Sequence, residues 1–157
     1  PGPETRKLVA ALGDDFENDI AKLHGLSAAV LEKVAYQTGK TNAETTAEAA
    51  IKTGEGVCQD HSHIFCTAAR LLGFPARYVS GYLMMSDRVD QDATHAWAEA
   101  YVQGLGWVGF DISNGYSPDE RYVRIATGLD YREASPISGM RYGAAKEDMI
   151  VTLQVQQ

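Results

Sequence analysis

The order of apolar and polar residues divides the chain into a helical first half and a strand-rich second half. Up to Gly73, apolar residues recur three and four positions apart between capping residues and glycines, as they do on the buried side of amphipathic helices. This pattern predicts helices over 4–12, from Asp14 or Asp15 to Leu23, from Ser27 past Val34, over 47–51 behind a capping box of Thr45 and Glu48, and from Val57 to Leu72. After Gly73, segments rich in aromatic and β-branched residues predict strands over 76–84, 96–102, 106–112, 122–125 and 149–155.

The succession of these elements indicates the fold class. Several helices followed by neighbouring strands, without strand–helix–strand alternation, are typical of an α+β domain with an antiparallel sheet. The chain has 157 residues, which suffice for one hydrophobic core and are too few for two, so we predict a single domain over 1–157. Because the first residue is Pro1 and not Met, we expect a processed or excised piece of a longer protein.

Composition and charge narrow the class of partner. With 45% hydrophobic and 22% charged residues, the chain can bury a core. Its net charge of −7 repels polyanions, so we expect no nucleic-acid partner. The sequence has no run of about 20 apolar residues, so we expect no membrane insertion. Two cysteines are too few for a secreted disulfide scaffold, which predicts reduced thiols and a cytoplasmic location.

Cys58 stands where the strongest predicted helix begins. The unpaired backbone N–H groups of a first helical turn, and the positive end of the helix dipole, favour a thiolate at that position. A thiolate is the attacking species in cysteine catalysis. Taken alone, Cys58 also suits a small buried thiol at a helix end, and Cys66 is predicted to belong to the core.

A metal site is the competing interpretation of this helix. The ligand types are present in the run Cys58, His61, His63 and Cys66. On one helix, however, the two cysteines lie about 12 Å apart along the axis, at about 1.5 Å per residue. Such groups do not meet around one tetrahedral ion. We therefore expect neither a metal nor a cofactor.

His95 and Asp111 fall on two strands that a short turn at 103–106 joins into a hairpin. With the turn centred near residues 103–104, His95 lies opposite position 111 or 113, and either register keeps His95 and Asp111 on one face of the sheet. A carboxylate beside an imidazole fixes its tautomer and stabilises the imidazolium, which in turn stabilises a thiolate. Together with Cys58, these residues predict a Cys-His-Asp triad.

Four ordered blocks of the sequence resemble the core of the bacterial transglutaminase-like superfamily. The blocks are Gly56-Val57-Cys58-Gln59-Asp60-His61, Gly73-Phe74-Pro75-Ala76-Arg77-Tyr78-Val79-Ser80-Gly81-Tyr82, His95-Ala96-Trp97-Ala98-Glu99 and Gly106-Trp107-Val108-Gly109-Phe110-Asp111. Segments 122–126 and 130–136 also resemble the C-terminal part of that family. Ile112 departs from the pattern, since the family often has proline after the triad aspartate.

The resemblance implies a papain-like fold, in which the cysteine-bearing helix packs on an antiparallel sheet, and a triad of Cys58, His95 and Asp111. Larger relatives carry a β-rich region upstream of this core, so we expect the chain to be the C-terminal part of a longer protein. The implied substrate is a protein or a peptide. The sequence offers no guide to oligomeric state.

Such a triad attacks an amide carbonyl and passes the acyl group from sulfur to an acceptor. If water is the acceptor, the protein is a cysteine peptidase or amidase that hydrolyses peptide or isopeptide amides. We rank this alternative first. If a lysine amine is the acceptor, the protein is a protein-glutamine transglutaminase. The third alternative is a non-catalytic interaction domain. The backbone N–H of Cys58 is the expected oxyanion donor. We also predict Tyr82 as a second donor, and Trp97 and Trp107 at the border of the acyl site.

Overall fold

A computed structural model gives the architecture. It describes residues 1–84 and 94–136, and the backbone pairing of 90–91 with 153–154. The helices are α1 (Pro3–Leu12), α2 (Asp19–Lys33), α3 (Ala47–Thr53) and α4 (Cys58–Leu71). The strands are β1 (Ala35–Tyr36), β2 (Glu55–Gly56), β3 (Ala76–Leu83), β4 (Asp90–Gln91), β5 (His95–Val102), β6 (Gly106–Phe110), β7 (Tyr122–Gly128) and β8 (Leu153–Gln154). Within the described ranges, no helix has the length and apolar character needed to cross a bilayer.

The main sheet has four strands in the order β6-β5-β3-β7, and every neighbouring pair is antiparallel. The short strands β1 and β2 pair in parallel beside the start of α4, and β4 pairs with β8. The predicted α+β class with an antiparallel sheet is confirmed. Of the four helices, α4 packs most extensively on β5, and it carries more buried apolar residues than any other helix.

One face of the sheet forms the core with α4. The aromatic rings of Phe65 on α4 and Phe110 on β6 stack with centroids 5.0 Å apart, and both are buried. Ala98 pairs with Phe110 in the ladder and lies on the same face. The alternate residues of β5, among them His95 and Trp97, therefore point to the other face. Alternation thus separates the core side from the side that holds His95.

The register of the β5–β6 hairpin settles the predicted alternatives. Val102 pairs with Gly106 and Ala98 with Phe110, so the ladder, continued beyond β6, sets His95 opposite position 113. This is one of the two registers predicted from the turn. On β5's other side, His95 pairs with Gly81 of β3.

The two helices predicted from Asp14 or Asp15 to Leu23 and from Ser27 past Val34 form a single helix, α2, in the structure. Helix α2 runs without a break through Gly25 and Ser27, and its cap is Asn18, whose side chain accepts a hydrogen bond from the backbone N–H of Ala21 at 2.9 Å. A Cβ at Gly25 would lie 2.5 Å from a ring carbon of Phe16. This glycine is therefore a packing requirement, and reading this region as a break was wrong.

The predicted capping box of Thr45 and Glu48 is also wrong. The cap of α3 is Thr46, whose hydroxyl accepts from the backbone N–H of Ala49 at 3.2 Å. Glu48 instead reaches the first turn of α1, where its carboxylate accepts from the backbone N–H groups of Gly2, Glu4 and Thr5 at 2.9–3.0 Å. These bonds keep the pKa of Glu48 low, at about 2, against the opposing effect of burial.

The remaining predictions agree with the structure to within a few residues. Strand β7 extends three residues beyond the predicted 122–125. Of the predicted strand 149–155, the structure describes only the pairing of β8, and the other positions lie outside the described residues.

Candidate active site

The start of α4 is held by hydrogen bonds that set the position of Cys58. Val57 is the N-cap, and its backbone N–H donates to Asp60 Oδ2 at 2.8 Å. The same oxygen accepts from the hydroxyl of Thr41 at 2.6 Å. A Cβ at Gly56 would lie 2.8 Å from the Asp60 Cβ, so the close approach of the chain requires glycine there. Cys58 is thereby fixed as the first helical residue, half-buried.

His95 lies between Cys58 and Asp111. Its Nε2 is 2.5 Å from Asp111 Oδ2, and its imidazole also interacts with the Cys58 thiol, which helps to raise the pKa of His95. Because Nε2 is engaged by the carboxylate, Nδ1 is the ring nitrogen left for the sulfur. The histidine side chain is 15% exposed, so the imidazole is reachable from solvent while most of it is enclosed. The structure brings the three predicted residues together, with His95 in the middle.

The Asp111 carboxylate is completely buried and has further donors. The Tyr122 hydroxyl donates to Oδ2 at 2.6 Å, and the Asn114 side-chain amide donates to the same oxygen at 2.7 Å. The backbone N–H of Asn114 donates to Oδ1 at 3.2 Å. The carboxylate is therefore satisfied as an anion and held in one orientation toward His95.

Electrostatics favour a charged histidine. Burial lowers the pKa of His95, but hydrogen bonds and negative charge from Asp111 and Cys58 outweigh it and raise the pKa to about 10. Burial raises the pKa of Asp111, whereas bonds from His95, Tyr122 and Asn114 lower it, and the net direction is down. The arrangement therefore stabilises an imidazolium between two groups that can carry negative charge.

An aromatic cluster encloses the side of the imidazole. The Tyr122 ring is 5.9 Å from that of His95, and Trp97 packs edge-on against Tyr122 at 5.4 Å. Trp97 is buried and stands over Gly81, where a Cβ would lie 2.7 Å from the indole. The prediction that Trp97 borders the site thus has a geometric basis, with the indole beside His95 at 6.3 Å.

The structure does not bring Trp107 to this cluster. Trp107 pairs with Tyr101, six residues along β5 from His95, which is about 20 Å of strand. Its indole lies under the guanidinium of Arg77, at 4.1 Å, near the far end of the hairpin. The prediction for Trp107 is corrected accordingly. Tyr82 pairs with Val123 on β7, and its role as an oxyanion donor stays a prediction.

Two residues of this site were missed by reasoning from the sequence. Asn114 stands three residues after Asp111, a spacing at which an aspartate often accepts from the backbone, and this signal was available. Tyr122 carried no such signal, because its contact with Asp111 arises only when β7 joins the sheet.

A family model supports the relationship. The model described as "Transglutaminase-like superfamily" matches residues 6–112. A protein of Mycobacterium leprae, named "Uncharacterized protein ML0607", is 31% identical, and the match covers 94% of this chain and 55% of that protein. A "Protein-glutamine gamma-glutamyltransferase" of Pseudomonas aeruginosa is 27% identical, with 84% of this chain and 22% of that protein covered.

Solved structures agree with that match. A "putative cysteine protease" from Cytophaga hutchinsonii superposes with a TM-score of 0.70 at 32% identity, covering 83% of this chain and 45% of that one. The chain thus spans about half the length of the M. leprae and C. hutchinsonii proteins. With a family match over more than half of its residues and this agreement in fold, the chain belongs to the transglutaminase-like superfamily.

Proposed function

We propose that this protein is a cysteine-dependent acyl transferase whose reaction is the hydrolysis of peptide or isopeptide amides. Cys58 is the nucleophile, His95 the acid and base, and Asp111 the residue that orients His95. The observation that carries the proposal is the position of His95, which is hydrogen-bonded to Asp111 and interacts with Cys58, the first residue of a helix. This arrangement has the geometry that an activated thiol nucleophile needs.

The chemistry follows from the positions of the protons. The Cys58 thiolate attacks the amide carbon, and the carbonyl oxygen becomes an oxyanion. The first-turn N–H of Cys58 has no acceptor within its own helix and is placed to donate to that oxygen. The His95 imidazolium gives its proton to the leaving amine, the C–N bond breaks, and an acyl-thioester remains on sulfur.

The second half of the reaction returns the site to its starting state. His95, now neutral, takes a proton from the incoming water as the oxygen attacks the thioester carbon. Collapse of that intermediate releases the carboxylic acid and restores the thiolate–imidazolium pair. Asp111, held by Tyr122 and Asn114, stays ionised throughout and keeps the imidazole in place.

Water is preferred as acceptor because the C. hutchinsonii neighbour, which shares 32% identity with this chain, is named "Putative Cysteine Protease". A second candidate is protein-glutamine crosslinking, because the P. aeruginosa relative is named as a glutamyltransferase. Both reactions share the acyl-thioester on Cys58 and differ only in what attacks it. A protein or peptide substrate is part of either proposal.

Incubating the protein with a peptide library and a fluorescent primary amine distinguishes hydrolysis from crosslinking. Mass spectrometry is expected to detect cleaved peptide bonds, or glutamine converted to glutamate, without amine incorporation. Incorporation of the amine at glutamine would instead establish the crosslinking reaction. The Cys58→Ala variant, prepared in parallel, must show neither product. If the unsubstituted protein shows neither product and Cys58 reacts no faster than an ordinary thiol, the protein is a non-catalytic interaction domain.

We also propose the cytoplasm as the working compartment. The mechanism needs a reduced nucleophile, and both Cys58 and Cys66 are free thiols in the structure. Fractionation of the native source, with detection by an antibody, tests this location.

A further inference from the structure

His61 is a buried histidine that the proposed chemistry does not use. It lies three residues after Cys58 on α4 and is completely buried. Its Nε2 is 2.9 Å from the carbonyl oxygen of Val34, and its Nδ1 is 2.8 Å from the hydroxyl oxygen of Ser113. Both ring nitrogens are therefore committed to partners that come from two other segments of the chain.

These partners define the tautomer. A carbonyl oxygen only accepts, so Nε2 carries the proton and donates to Val34. Burial lowers the pKa of His61, against the raising effects of the Val34 bond and of the Asp60 and Asp111 charges. In the neutral ring, Nδ1 accepts from the Ser113 hydroxyl. His61 thus stays neutral, in contrast to His95, and acts as a fixed two-point connector.

Each of the two segments that His61 joins leads to a part of the candidate site. Val34 is the residue that follows α2, and it leads directly into β1. Strand β1 pairs with β2, whose last residue, Gly56, lies two residues before Cys58. Ser113 lies in the turn that Asp111 and Tyr116 close by pairing with each other. The next residue, Asn114, donates twice to the Asp111 carboxylate.

We propose that His61 is a positioning residue that couples the nucleophile helix to the turn carrying Asp111. Through Ser113 it keeps Asn114 directed at the carboxylate, and thereby keeps Asp111 directed at His95. The inference rests on the proposed function, because it assigns His61 a role in holding that triad. Its measurable consequence is the charge on the His95 imidazole.

The test uses two alkylating reagents on Cys58. Iodoacetate is an anion and is attracted by an imidazolium beside the sulfur, whereas iodoacetamide is neutral. The ratio of their second-order rate constants, measured against pH, therefore reports the charge of His95. Peptide mapping by mass spectrometry assigns the adduct to Cys58 rather than to the buried Cys66.

Ser113→Ala is the decisive variant, because it removes one hydroxyl and leaves the imidazole in place. The rate of iodoacetate alkylation near pH 10, where the His95 imidazolium titrates, is expected to fall about twofold to fivefold, the effect of one weakened hydrogen bond on that titration. The pH at which the reagent ratio drops is expected to move down by about 0.5 to 1. Ser113→Thr keeps the hydroxyl and is expected to restore both values.

The matched control is Thr67→Val, which removes a hydroxyl that donates to the His63 carbonyl at 2.7 Å on the same helix. It is expected to leave the reagent ratio unchanged. A Ser113→Ala profile that superposes on the unsubstituted protein overturns the positioning role and leaves the proposed function intact. If Cys58 of the unsubstituted protein shows no preference for iodoacetate at any pH, the proposed function and this inference both fail.

Discussion

The two cysteines of this protein share one helix and differ in almost everything that governs reactivity. Cys58 is the first residue of α4, half-buried and beside His95, whose pKa it helps to raise. Cys66 lies eight residues further on, 1% exposed within the hydrophobic core. Burial raises the pKa of its thiol to about 12, and the charge of Arg70 offsets this only in part. Position along one helix therefore separates a candidate nucleophile from an inert core residue.

The comparison shows that two local features act together at Cys58. The helix start supplies free N–H groups, and the first residue of β5 supplies an imidazole whose pKa is raised to about 10. At Cys66 the backbone N–H groups are used within the helix, and its neighbours are apolar. A cysteine on a helix is therefore not sufficient for a reactive thiol, since Cys66 is also a cysteine on α4.

The largest expected effect comes from exchanging each cysteine for alanine. Cys58→Ala is expected to reduce amide turnover by more than about 10³-fold, because the attacking atom is lost. Cys66→Ala is expected to keep turnover within about twofold. Steady-state rates on the same peptide substrate measure both. Equal losses in the two variants would remove the distinction between the cysteines.

Asp111→Asn addresses the imidazolium beside Cys58. An amide keeps the shape of the carboxylate but loses its charge, so the pKa of His95 falls and the imidazolium is lost at lower pH. Below the lowered pKa, His95 is protonated in both proteins. Between the lowered pKa and about pH 10, only the unsubstituted protein keeps the imidazolium. Turnover at pH 8 is expected to drop at least about 100-fold. A pH–rate profile with an unmoved alkaline limb would contradict this account.

Tyr122→Phe removes one of the donors to Asp111 and keeps the ring that packs on Trp97. The expected loss in turnover is about tenfold, corresponding to a charge-assisted hydrogen bond of about 1.5 kcal/mol. Tyr101→Phe, on the exposed far part of the same sheet, is the matched control and is expected to have no effect. Equal rates for both variants would show that the Tyr122 hydroxyl does not position Asp111.

The smallest effect concerns stability and reverses the order of the two cysteines. Cys66→Ala leaves a small gap in the core and is expected to lower the free energy of unfolding by about 1–2 kcal/mol. Cys58→Ala is expected to change it by less than about 0.5 kcal/mol. Urea unfolding at pH 7 measures both values. A larger loss for Cys58→Ala would mean that Cys58 contributes more to packing than its half-buried position indicates.

Features governed by local sequence were predictable. The start of α4 at Cys58 follows from the glycines before it and the periodic apolar residues after it. The hairpin register follows from its turn, so His95 and Asp111 could be placed on one face without coordinates. The prediction for Trp107 was wrong because alternation predicts which face of the sheet a side chain occupies. Its distance from His95 also depends on its position along the strand.

Contacts between distant segments were not predictable in the same way. The bonds from Glu48 to the start of α1 span more than 40 residues. Those of His61 to Val34 and Ser113 span 27 and 52. A side chain that bonds across such separations leaves no periodicity in the sequence, so Glu48 resembled a local cap and His61 a member of the rejected metal-ligand run.

The sequence by itself determined which residues stand at a helix start and on a strand pair, because caps, turns and apolar periodicity act over a few residues. Tertiary structure alone decided what surrounds them. Tyr122 and Asn114 satisfy the Asp111 carboxylate, and the protonation of His95 depends on burial as well as on its partners. Burial and electrostatic coupling exist only once separate segments pack, which is the physical reason for the division.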